Sequence, residues 1–342
     1  MTDRSNSSSR RTWVALGALA LAVGLGGYAF HLAWNNGGGT PDQAAGSTNR
    51  STATPAKVED IIASARTYVR QGESEKAETI LAEASRQFST DQSLRVAYVD
   101  ILMAARKPGE AYEQYEKALA IGPREAKLEF TAGTAASMAG KPERALELYS
   151  AAQNADRTNP MYPLYLGQIQ NKLGQNDEAK ASLVRAAHLD PERAVTWGTL
   201  ADIALRENNL DMALQHIARA RTLEPGVVTW RLIESRALTR SNQPDKAVQL
   251  LVTLGEADRF SPPVLKQIGE CYGLLSRPAD AAAVYGAASD ARPQDARLAG
   301  EAAEWARRAN DRASALRLAR RAASLGDQAG RELVAALESQ PH

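Results

Sequence analysis

A step of 34 residues runs through most of this chain without insertion or deletion. Sliding the window that starts at Pro160 onto Ala194 lays Leu166, Ala179, Leu183, Ala186 and Pro191 over Leu200, Ala213, Ile217, Ala220 and Pro225. Carried in both directions, the step gives eight windows: 58–91, 92–125, 126–159, 160–193, 194–227, 228–261, 262–295 and 296–329. Window position 20 is Ala77, Ala111, Ala145, Ala179, Ala213, Ala247, Ala281 and Ala315, alanine in all eight. A period of this length predicts an all-α solenoid in which each window is one helical hairpin stacked on its neighbours. It overrides the two or three globular domains that 342 residues would otherwise suggest.

Two helices are legible in each window. The first carries apolar or small residues at positions 4, 7, 8 and 11, and the second carries them at 20, 24 and 27, each set lying on one helical face. Position 15 reads Gly72, Arg106, Gly140, Gly174, Asn208, Asn242, Ser276 and Asn310. Gly and Asn tolerate the left-handed conformation that ends a helix, so six of the eight predict a stop there. Pro108, Pro142, Pro244 and Pro278 follow at position 17, where a missing N–H costs nothing. Glu143, Asp177, Asp211 and Asp245 then suit the positive end of the helix dipole. Pro123, Pro191, Pro225 and Pro293 close the second helix. Antiparallel helices joined by so short a turn must touch. Alanine at 20 and usually at 27 permits that, answered at position 8 by Ala65, Val99, Gly133, Gly167, Ala201, Ser235, Gly269 and Ala303.

This pattern resembles the tetratricopeptide repeat over residues 58–329. The resemblance is carried best by Trp197, Leu200, Ala201, Ala213, Ile217, Ala220 and Pro225, and by Leu265, Ile268, Gly269, Tyr272, Ala281, Tyr285, Ala288 and Pro293. It implies a right-handed α-solenoid whose first helices line a concave groove, with positions 2, 5, 9 and 12 facing it. Window six departs at Glu234, Ser235, Leu254 and Arg259, which puts its packing in question. After window eight, residues 330–342 read as a capping helix and tail, with Arg331–Ser339 helical and Leu333, Val334 and Leu337 covering the last face.

On that implied surface the candidate peptide groove comprises Ile62, Val96, Phe130, Leu164 and Leu232 along position 5, with Gln168, Asn171, Asp202, Leu205 and Arg236 beside them. Two readings stand for the apolar stripe: a track for an extended or helical peptide, or packing against neighbouring repeats. The family's clamp for a terminal carboxylate is absent, since Lys266, the one lysine at position 5, is followed by Glu270 at position 9 and position 6 never holds Asn. Window eight gathers Arg307, Arg308, Arg312, Arg317, Arg320 and Arg321, a candidate basic patch for an anionic polymer or acidic partner, or else a solvated helical face.

Ahead of the repeats, residues 1–11 are polar with Arg4, Arg10 and Arg11, and residues 12–34 contain no Asp, Glu, Lys or Arg. A helix of 23 residues reaches roughly 34 Å, enough to cross the hydrocarbon layer. Trp13, Tyr28 and Trp34 suit its two interfaces, and the preceding arginines orient the N-terminus to the cytoplasm. The expectation is a transmembrane signal anchor, then a disordered linker over 35–57 and an extracytoplasmic repeat domain, in the periplasm if the host is bacterial. A cleaved signal peptide is the competing reading. Ala18, Ala22 and Gly26 form a small-residue stripe that would allow a homo-oligomer.

Lysine plus arginine number 41 against 40 acids, a net charge of +1 that supplies no general pull toward nucleic acid. The single cysteine, Cys271, excludes an intrachain disulfide and reads as a small buried residue. His31, His188, His216 and His342 have no metal-ligand spacing, and no phosphate loop or nucleophile triad is present. The sequence therefore points to a membrane-tethered scaffold for protein or peptide partners, with no catalysis, cofactor or metal. Its setting would be envelope assembly, secretion or export.

Overall fold

The computed structural model describes residues 54–339, which form eighteen helices and, among the described residues, no strand. The expected segments 1–11 and 12–34, and most of the linker, lie outside the described residues. Among the described residues no helix is long and apolar enough to cross a membrane. The chain divides into two compact units between Gln87 and Phe88. The first holds α1 (Thr54–Arg70) and α2 (Ser74–Gln87), packed as one hairpin around Val58, Ala65, Ala77 and Leu81. Helix α1 starts inside the stretch expected as linker, with Pro55 in its first turn, where an absent N–H loses no bond.

The second unit holds sixteen helices: α3 (Gln92–Ala104), α4 (Pro108–Ile121), α5 (Ala126–Met138), α6 (Pro142–Ala155), α7 (Met161–Lys172), α8 (Asn176–Leu189), α9 (Ala194–Arg206), α10 (Leu210–Leu223), α11 (Val228–Arg240), α12 (Pro244–Val252), α13 (Glu256–Arg259), α14 (Pro262–Leu274), α15 (Pro278–Ala291), α16 (Ala296–Arg308), α17 (Arg312–Ser324) and α18 (Gln328–Ser339). Each hairpin packs on the next, and the first helices α7, α9, α11 and α14 lie side by side as one layer.

The turn inside each hairpin explains why the period admits no slack. All eight residues at position 15 have positive φ, from Gly72 at 80° to Arg106 at 59° and Ser276 at 54°. The left-handed residue lets the next N–H turn back to the helix it has just left: Lys107 N to Leu102 O at 2.8 Å, Lys141 to Ala136 at 2.9 Å, Arg277 to Tyr272 at 2.9 Å. The carbonyl of the residue after the left-handed one accepts the first bond of the following helix, as from Ala111 N to Lys107 O at 3.0 Å. One residue thus closes one helix and opens the next. Arg106 and Ser276, which the sequence does not mark as stops, adopt the conformation because this double role leaves no alternative.

The eight alanines at position 20 are fully buried. Glycine at position 8 answers bulk at position 24: a Cβ on Gly133 would lie 2.8 Å from the Tyr149 ring, and one on Gly167 would lie 2.7 Å from Leu183 Cγ. Position 4 corrects the apolar expectation. It holds Arg95, Glu129 and Arg231 as well as apolar residues, and these polar side chains find partners: Arg95 reaches Gln114 Oε1 at 3.0 Å, and buried Glu129 takes Arg124 Nε at 2.6 Å.

Window six breaks where its sequence departs. Helix α12 stops at Val252, and Leu254 sits where other windows carry alanine. Gly255 turns the chain, and α13 is a separate short helix whose Arg259 returns to the Val252 carbonyl at 3.1 Å. The chain ends on α18, which begins at Gln328, ahead of the expected Arg331, because Asp327 caps it through the Gly330 N–H at 2.7 Å. Leu337 is buried against the last hairpin, with Leu333 and Val334 partly covered beside it.

Candidate functional site

The layer of first helices decides what the chain can present. Most of the expected apolar stripe is interior. Phe130 meets Tyr149, Tyr162 and Tyr165 with ring centroids 5.6, 5.2 and 5.0 Å away. Leu164 packs with Leu183, Leu200 and Ile203, Leu205 with Trp230 and Ile233, and Leu232 with Val248, Val264 and Ile268. Gly198 lies under the Trp230 indole, so closely that a Cβ would come 2.2 Å from Cζ3. Val96 is half-buried on α3, and Ile62 is half-buried on α1 in the other unit.

Apart from Leu274, exposed at the end of α14, what this layer presents at window position 9 is polar. Window position 9 supplies Gln168, Asp202, Arg236 and Glu270 from α7, α9, α11 and α14, the first three half-buried and the last exposed. Neighbouring helix axes stand about 8–10 Å apart, so this row spans roughly 25–30 Å. Two arginines at position 13, which the sequence reading passed over, brace it. Arg206 donates to Asn171 Oδ1 one repeat back and places its Nε 3.3 Å from Asp202 Oδ2, an ion pair without hydrogen-bond alignment. Arg240 donates to the Leu205 carbonyl at 2.6 Å, again one repeat back. Their signal was the recurrence of arginine at the same position in windows five and six.

Arg236 differs from both. It makes no hydrogen bond or ion pair with a described residue. Loss of hydration holds its pKa below the usual arginine value, Asp202 and Glu270 act in the opposite sense, and Arg240 adds to the lowering.

The six arginines of the candidate basic patch are engaged within the protein. Arg307 and Arg308 share Glu304, at 2.7 and 3.1 Å, and Arg308 also lies over the Trp305 ring. Arg317 and Arg321 share Asp290 at 3.6 and 2.8 Å. Arg320 pairs with Glu338 at 2.7 Å, and Arg312 donates to the Leu337 carbonyl. Each therefore has an acceptor in the protein.

Cys271 is fully buried, its Sγ 3.3 Å from Thr239 Oγ1, which also receives Gln267 Nε2 at 3.1 Å. His216 is half-buried beside Trp197, its pKa lowered by loss of hydration. Among the described residues no group of His, Cys, Asp or Glu could hold a metal ion.

Stacked hairpins of constant length define a helical-repeat protein, and the family comparison refines that. Residues 166–193 match the family model described as tetratricopeptide repeat, which, together with the fold, supports membership of that repeat family. Among solved structures, PilW, described as a widely conserved type IV pilus biogenesis factor, is 17% identical with a TM-score of 0.53, covering 61% of this chain and 97% of its own. The Pseudomonas aeruginosa protein pilF is 19% identical with a TM-score of 0.51, covering 62% of this chain and 96% of its own. These likenesses are likenesses of fold. No curated protein matches the chain.

Proposed function

We propose that this chain is a membrane-tethered scaffold that holds protein partners on the extracytoplasmic side of a bilayer and works by binding rather than by turnover. The observation that carries the binding role is the row Gln168, Asp202, Arg236 and Glu270, held in register by packed helices most of whose large apolar side chains are spent underneath. A row of roughly 25–30 Å matches about eight residues of extended polypeptide at 3.3 Å each. The polar row therefore replaces the apolar stripe as the recognition surface. The tether rests on residues 12–34, an apolar run free of charged side chains and preceded by three arginines. Service in envelope assembly, secretion or export follows from that placement and not from the named neighbours, whose likeness is one of fold.

Two measurements test the proposal. An alkaline phosphatase fused after His342 should be active in a bacterial host, and deletion of residues 12–34 should abolish that activity. Proximity labelling from the same terminus should mark a small, reproducible set of envelope proteins. Labelling no different from that of an unrelated periplasmic fusion would end the scaffold reading.

A further inference from the structure

The recognition row contains one cation with no hydrogen-bond or ion-pair partner among the described residues, and that residue says what kind of group the row takes. We propose that Arg236 receives a single acidic side chain, Asp or Glu, of a polypeptide bound across α9, α11 and α14. The proposal rests on the scaffold reading and deepens it.

Two other arginines of this layer make the contrast. Arg206 and Arg240 each end on an acceptor one repeat back, Asn171 and the Leu205 carbonyl. Arg236 ends on none among the described residues. It is half-buried on the middle helix of three that lie side by side, where the guanidinium loses water and gains no hydrogen bond in return. The charges facing it are few: Asp202 on α9, already engaged with Arg206; Glu270 on α14, exposed; and Arg240 on its own helix. Neither carboxylate comes within ion-pair distance. The lowered pKa of Arg236 agrees with this placement, because its first cause is lost hydration and the neighbouring acids only oppose it.

A guanidinium presents N–H donors in a planar fork that matches the two oxygens of a carboxylate. An arriving Asp or Glu would restore what burial removed, and would do so in a partly dehydrated setting where charge-assisted hydrogen bonds are strong. The flanking acids set the second half of the specificity. Asp202 and Glu270 stand at the same register position one helix to either side. A continuous run of negative charge would meet both, so a polyanion is disfavoured and an isolated acid between neutral or basic residues is favoured. The remaining row offers Gln168 on α7 for neutral polar contacts.

The test uses the full-length protein in detergent on an array of random twelve-residue peptides, followed by titration of the best binders. Selected peptides should share one acidic position. Changing that acid to its amide should weaken binding roughly tenfold or more. Arg236→Gln should cause a similar loss, and the two changes together little more than either alone. Peptides captured without an acidic requirement would overturn the assignment to Arg236 while leaving the scaffold reading standing. Equal binding by R236Q would do the same, and capture of no peptide would count against both. A second readout needs no ligand: Arg236→Met should leave Tm unchanged or raise it, since it removes an unpaired, partly dehydrated charge. A fall in Tm would show that the guanidinium is already satisfied inside the protein, and would overturn the proposal.

Discussion

Replacing Arg106 and Ser276 by glycine should stabilise the protein, although both changes remove side-chain atoms. Both residues sit at φ values of 59° and 54°, in the left-handed region. That region costs a residue with a Cβ roughly 1–2 kcal/mol, whereas glycine's greater freedom in the unfolded chain costs about 0.5–1 kcal/mol. The difference favours glycine by about 0.5–1 kcal/mol at each site. Both side chains are exposed and make no hydrogen bond within the described residues, so little is lost in exchange. The two turns lie in windows two and seven, far enough apart for the gains to add. Repeat arrays do not unfold as one two-state body, so amide exchange at the turns is the better readout. The N–H groups of Lys107 and Arg277, bonded at 2.8 and 2.9 Å to Leu102 and Tyr272, report each turn directly. Where local opening governs exchange, a gain of 1 kcal/mol slows it about fivefold. The mirror experiment is Gly140→Ala, at φ 75°, which should cost about 1 kcal/mol. Faster exchange in R106G and S276G, or an unaffected G140A, would refute the claim that the turn conformation is imposed on whatever residue occupies it.

Three further outcomes follow from the same structure. Gly198→Ala should displace the Trp230 indole, which a methyl would approach to 2.2 Å, lowering stability by about 1–3 kcal/mol and shifting tryptophan fluorescence; an unchanged spectrum would mean the indole does not lie on Gly198. Arg144 holds the Glu116 carboxyl below its ordinary value of 4.5 by hydrogen bonding. The stability from that pair is therefore present above the ordinary glutamate range and lost as pH falls through the lowered folded pKa, and E116Q should flatten that acid limb in thermal melts across pH. Cys271, fully buried, should resist maleimide until the array unfolds; rapid labelling of the native protein would contradict its burial.

How much could be read beforehand depends on the kind of interaction. The hairpins were legible because a strict period reports packing that recurs identically, and alanine at position 20 names the tightest contact. Arg106 and Ser276 were not legible as helix stops, because their conformation comes from the bonds at Lys107 and Arg277 and not from their own preference. Leu254 announced that window six was irregular, but not that α12 would end at Val252 and a separate short helix follow. The apolar stripe was legible as a helical face but not as a covered one. Phe130 is enclosed by tyrosines from α6 and α7, and Gly198 by a tryptophan from the next repeat, and periodicity within one window carries no record of such neighbours. The arginines of window eight show the same limit: Asp290 and Glu338, which take up Arg321 and Arg320, lie 31 residues before and 18 after them in the chain.

Site-specific photo-crosslinking in the cells that make the protein tests the central claim most directly, with the probe placed in turn at Gln168 and Glu270 on the first-helix row and at Val184 and Met212, exposed on α8 and α10. The row positions should yield discrete protein adducts that weaken in the R236Q background, and the α8 and α10 positions should not. Adducts arising only from Val184 and Met212, or equally from all four, would place the partner elsewhere and contradict the account.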